Sequence, residues 1–205
     1  MEFNGFPEQA FAFFEAVEPD VDWSFVRERR QDWERFVHEP MEALLEALAP
    51  EFGDGYAYHL HRDPWLWRHQ IGVVAIADTI ALQAELSMEG LRLDGGWLRS
   101  SNDQVVRYRE AVDDEVEGAD LGRILQQLLA DGFAVAGETL KTGPRGILAN
   151  HPRIGLLRQR SLIASRWAPP DTVATPLCED EVRAGWRALR PLTEWFAHHV
   201  GPRRR

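Results

Sequence analysis

Three histidines, an Arg-Asp pair and four aromatic rings fall within fifteen residues of this chain, "YAYHLHRDPWLWRHQ" at positions 56–70. His59 and His61 stand two apart, so on a regular strand both project from one face. An H-x-H pair of that kind can ligate a metal ion, with His69 returning from the next strand as a third nitrogen and Asp63 adding a carboxylate. Such a set can activate water for hydrolysis. The competing reading has no metal and no cofactor, and leaves the same histidines on the rim of a solvated sheet. Arg62 and Asp63 divide in the same way. Asp63-Pro64 is a turn former, whereas the planar five-donor fork of Arg62 suits an anionic ligand.

A second candidate is "KTGPRG" at 141–146. Gly143 and Gly146 flank Pro144 and Arg145, and a backbone of that kind can present N–H groups as an anion nest beside Lys141. The residue order is not that of a P-loop. Arg158, Arg160 and Arg166 could bring positive charge to the same face as Arg145, which with Arg62 would make an anion-binding set. All but one of the 23 basic residues are arginine, the exception being Lys141. Cys178 is the single cysteine, so it can form no intrachain disulfide and no thiolate cluster for zinc. No G-x-S-x-G elbow occurs. Trp65 and Trp67 flank Leu66 and either cover the end of a sheet, form an apolar wall beside Arg62, or offer a contact surface to another protein.

The bulk composition bounds these readings. With 205 residues, 44% hydrophobic and 27% charged, the chain resembles an ordinary globular protein with one substantial core. A formal net charge of -10 argues against generic binding to nucleic acid. No 18-residue apolar run is present, and the amino terminus lacks a basic region followed by an apolar one, so the expected compartment is the cytoplasm, with no membrane contact.

The elements that must position these residues follow from periodicity. "NGFPEQAFAFFEAV" predicts a first helix, and apolar residues at 3–4 spacing from Trp33 to Leu48 predict a second over about 24–48, kinked or split at Pro40. Short runs over 56–98 predict an antiparallel meander. In its third run Ile80, Leu82, Ala84 and Leu86 share one face, and Ala81, Gln83, Glu85 and Ser87 share the other, which is expected to be wetted. Helices follow, capped by Ser101 or Asn102 and then carrying Leu121, Ile124, Leu125, Leu128 and Leu129 inward. A short strand and a Gly/Pro-punctuated loop come next, then another strand and a closing helix. The expected fold is α+β, a single domain over 1–200 in which the sheet packs against N- and C-terminal helices, with 201–205 as a basic solvated tail.

Several of these pieces occur together in a known order: "GFP…FF", the tryptophans and Pro40 of the second helix, Arg62-Asp63, "LRLDGGW", "GETLKTGPRG…HP" and "LLRQRSLIASR" before a closing helix. In this the chain resembles the DUF2461 family of uncharacterised bacterial and fungal proteins over residues 3–200. The resemblance implies one α+β domain and no known activity. Where family members carry an aromatic-Ser-Lys-Asp-Lys run after the Arg-Asp, this chain has "PWLWRHQIG", which marks a divergent branch whose role is lost or re-tuned through Arg68, His69 and Gln70.

Three function classes emerge. The first is a binding or accessory protein that recognises an anionic or polar ligand through Arg62, Lys141 and Arg145. The second is a hydrolase using His59, His61 and Asp63, with or without metal. The third is a protein-interaction module.

Overall fold

The computed structural model describes residues 2–17, 22–60 and 67–203. The chain is α+β, with a six-stranded antiparallel sheet and helices before and after it in the chain. Strand order is β1 (Tyr56–Ala57), β2 (Gln70–Ala77), β3 (Ile80–Ser87), β4 (Gly90–Trp97), β6 (Leu162–Trp167) and β5 (Ala134–Ala136). The predicted meander is β2 to β4. Contacts divide the chain into two compact units. The first comprises 1–74, 83–93 and 167–185, and the second 75–82, 94–166 and 186–205.

In the first unit, α1 (Glu8–Ala16) buries Ala10, Phe13 and Phe14. The long helix expected over 24–48, kinked or split at Pro40, is interrupted at Arg29 instead. It runs as α2 (Trp23–Glu28), then without a gap as α3 (Arg30–Trp33), a π-helical turn (Glu34–His38) and α4 (Glu39–Phe52). Pro40 sits in the first turn of α4, where its missing N–H is no loss. Helix α4 lies close on β2 because Gly72 has no side chain; an added methyl would meet Met41 Sδ at 2.7 Å. The strand β1 is shorter than "YAYHLH" predicts. Its register pairs Tyr56 with Val73 and Ala57 with Gly72. Past that point Tyr58 N–H still donates to Ile71 O at 2.8 Å, and the Gln70 side-chain amide donates to Tyr58 O at 2.9 Å.

In the second unit, α5 (Asn102–Asp113) begins at Ser101, whose N–H donates to Gln104 Oε1 at 3.1 Å. Helix α6 (Glu115–Ala130) buries Leu121, Ile124, Leu125 and Leu128 as predicted, but Leu129 is exposed. After α7 (Ile154–Leu157), β6 approaches β4 so closely that a Cβ on Gly96 would stand 2.3 Å from Leu162 O. Within this unit Trp97, Tyr108, Trp195 and Phe196 form one aromatic cluster with ring centroids 5.2–6.2 Å apart. In the first unit, α8 (Pro170–Val173) precedes α9 (Leu177–His199), the closing helix, which runs on into the second. Pro202 and Arg203 of the expected solvated tail are exposed, and the tail also bonds to the rest of the unit. Gln104 donates to Gly201 O, Arg107 to Pro202 O, and Arg203 pairs with Asp78.

Candidate functional site

The polar face of β3 is the place where buried charge meets a cavity. Glu85 was expected on a wetted face, yet its side chain is only 8% exposed. A carboxylate in that position must be paired, and both its oxygens are. His69 Nδ1 stands 2.8 Å from Oε1, and Arg92 Nη2 donates to Oε2 at 2.7 Å. An ionised carboxylate only accepts, so the His69 proton belongs on Nδ1 and the ring is fixed in orientation. Arg92 also lies 5.8 Å from the centroid of the Trp167 ring.

His69 is on the wall of a cavity of about 470 Å³, lined also by Phe14, Glu15, Val17, Arg68, Ser87, Met88 and Glu89. Local structure explains the assembly. Glu85 and Ser87 share one face of β3 by the two-residue period. Phe14 and Val17 come from the end of α1 and just beyond it, and Arg68 and His69 from the approach to β2. The size is within the usual range for small-molecule sites. The sequence signal was present in Glu85 and Ser87, two polar residues among apolar neighbours, but alternation alone reads them as solvated.

A second cluster surrounds His38, which sequence reasoning did not single out. It is 4% exposed, its ring stacks on Trp33 at 4.7 Å, and its Nε2 lies 3.3 Å from Glu42. Among the described residues its Nδ1 and the Trp33 indole N–H, both buried, have no hydrogen-bond partner. Burial holds the His38 imidazole below its usual range, against the pull of Glu42 and with a further push from His59. His59 follows β1 rather than lying in a strand, and its ring is 4.8 Å from that of His38.

The predicted site residues are therefore dispersed. His59 is with His38, and His69 is with Glu85. His61, Arg62 and Asp63, like Trp65, lie outside the described residues. Among the described residues no group of three or more His, Cys, Asp or Glu could hold a metal ion. Trp67 is buried beside Trp23 rather than offered as a contact surface.

Lys141 and Arg145 are exposed on their loop. The arginines that were to join them have other partners: Arg158 donates to the carbonyls of Leu140 and Lys141, Arg160 faces Glu138, and Arg166 lies over Phe133. Burial pushes the Cys178 thiol up to about 12, so it is no nucleophile in the folded state. No helix among the described residues is long and apolar enough to cross a membrane.

No curated protein and no solved structure matches the chain. A family model described as a conserved hypothetical protein (DUF2461) matches residues 79–195. That span includes Glu85, Ser87, Arg92, Lys141 and Arg145 but begins after Arg62-Asp63 and His69, so it is narrower than the resemblance read from motifs. It covers more than half of the sequence, and the chain belongs to the DUF2461 family.

Proposed function

We propose that the chain is a binding protein for a small anionic or polar ligand, held in the cavity beside His69. One observation carries this reading: a buried carboxylate, Glu85, is retained beneath the site with its oxygens directed to His69 and Arg92. Buried charge of that kind, set beside a cavity, is a mark of functional sites. The ligand-binding role first assigned to Arg62, Lys141 and Arg145 moves to Arg68 and His69. The acidic balance of the chain supports a small ligand over nucleic acid. The test is a thermal-shift screen of small polar compounds against wild type and Glu85→Gln. Compounds that raise the Tm of wild type alone support the site, whereas equal shifts in both place the ligand elsewhere.

A hydrolytic role is the second reading, favoured by Ser87 lining the same cavity as a carboxylate-oriented imidazole. Labelling by a fluorophosphonate probe that is lost in Ser87→Ala and in His69→Ala would support it. No labelling would remove Ser87 as a nucleophile.

A further inference from the structure

We infer that the ligand of this cavity is a zwitterion, a molecule of amino-acid type carrying a carboxylate and an ammonium group on an apolar body; the inference rests on the binding role proposed above. The lining is divided by chemistry. Arg68 is a half-buried permanent cation beside His69, while Glu15 and Glu89 are exposed carboxylates on the rim of the same cavity. Phe14 and Val17 are buried and give the wall an apolar surface, extended by the half-exposed Met88. Among the described residues no ion pair engages Arg68, Glu15 or Glu89, so opposite charges surround one space without neutralising each other.

A simple anion drawn to Arg68 would also meet two carboxylates, and a simple cation drawn to the carboxylates would meet Arg68. Either pays a like-charge penalty that a zwitterion avoids. The planar fork of Arg68 suits a carboxylate. An ammonium group presents three donors, which two rim carboxylates can accept. The aliphatic and aromatic wall then covers the side chain.

The experiment is calorimetric titration of the full chain with three matched probes: L-phenylalanine, N-acetyl-L-phenylalanine and L-phenylalanine amide. The free amino acid should bind at least about tenfold more tightly than either capped form, since each cap removes one charge-assisted contact worth roughly that factor. Arg68→Gln should weaken the free and N-acetyl forms and tighten the amide, whose ammonium it no longer repels. Glu15→Gln and Glu89→Gln should weaken the free and amide forms and tighten the N-acetyl form for the same reason. All three are surface changes at which folding is retained.

If the N-acetyl form binds as well as the free amino acid, the site takes simple anions and the zwitterion is overturned, while the binding role stands. If the amide binds as well, the site takes cations and the same conclusion holds. If none of the three binds but other screened compounds stabilise wild type and not Glu85→Gln, the zwitterion is again overturned and the binding role kept. If no compound distinguishes wild type from Glu85→Gln, both fall.

Discussion

Arginine serves two purposes in this molecule, and an example of each comes from a different unit. In the second unit, where Arg107, Arg123, Arg160 and Arg203 also meet exposed or half-exposed carboxylates, three guanidinium groups donate to backbone carbonyls at helix ends. Arg153 donates to the carbonyls of Val112, Asp113 and Asp114 at the end of α5, at 2.7, 2.8 and 3.0 Å. Arg107 does the same for Val200 at the end of α9, and Arg109 for Leu157 at the end of α7. The last carbonyls of a helix have no intrahelical donor and sit at the negative end of its dipole, so a cation there satisfies both needs. In the first unit, guanidinium groups meet side-chain carboxylates. Arg92 binds Glu85, and Arg183 binds Glu51 and Glu179. Arginines that cap helices are structural parts, whereas the arginine that meets a buried carboxylate does so next to a cavity. Arginine content therefore says little about ligands until the acceptor of each fork is known.

Arg153→Ala should break the structural side of this contrast most visibly. Three carbonyls lose a charged donor, and unfolding in urea should show a loss of about 2–3 kcal/mol with ligand affinity unchanged. A loss under about 0.5 kcal/mol would mean that water replaces the guanidinium at no cost, and the helix-capping account would fail.

Glu85→Gln is the counterpart in the first unit. Both its partners are partly exposed, His69 at 24% and Arg92 at 36%, and can regain water. Stability should therefore fall by only about 1–2 kcal/mol, while thermal-shift responses to cavity ligands disappear. A large stability loss with binding intact would reverse the contrast.

Acid should separate the units through their histidines. Burial lowers the affinity for protons of both His38 and His199 in the folded chain. The unfolded chain takes up these protons near the ordinary value of 6.5. The histidine contribution to stability is therefore complete above that pH and lost as pH falls below it, towards the lower folded-state pKa. Each ring has a carboxylate at Nε2, Glu42 at 3.3 Å for His38 and Glu117 at 3.1 Å for His199, but the His38 Nδ1 is in addition buried with no hydrogen-bond partner among the described residues. His38→Gln should accordingly flatten the urea-midpoint profile between pH 8 and 5 more than His199→Gln does. The opposite order would show that the unsatisfied nitrogen is not what acid acts upon.

The smallest effect belongs to the exposed loop. Lys141→Ala and Arg145→Ala should each change stability by less than about 0.5 kcal/mol and leave cavity binding intact. A tenfold affinity loss in either would return the ligand site to residues 141–146.

Elements with a clear period were legible in the sequence, and residues whose partners are distant were not. The apolar stripe from Trp33 to Leu48 announced the second helix, although its interruption falls at Arg29 and not at Pro40, and the two faces of β3 were assigned to the right sides. What the alternation could not show is that the polar side is covered, because that depends on His69, sixteen residues earlier, and on Phe14, far earlier still. His59 looked like a strand residue because local spacing assumes the strand continues. The strand β1 covers only Tyr56–Ala57, with one further backbone bond from Tyr58 to Ile71, and nothing in the spacing of "YHLH" records that His59 lies beyond it. Likewise Arg158, Arg160 and Arg166 read as positive surface because their partners, the carbonyls of Leu140 and Lys141, the Glu138 carboxylate and the Phe133 ring, belong to other segments of the chain.

The strand order has a bearing on how the protein behaves in a crowded solution. Its two outermost strands are two and three residues long, Tyr56–Ala57 and Ala134–Ala136. An incoming extended chain finds at either border too few free peptide groups to nucleate growth, although β3 and β4 at the centre run to eight residues of apolar-rich sequence. The segments best able to stack into fibrils are shielded by strands too brief to act as templates, so resistance to aggregation should persist for as long as those short borders stay in place.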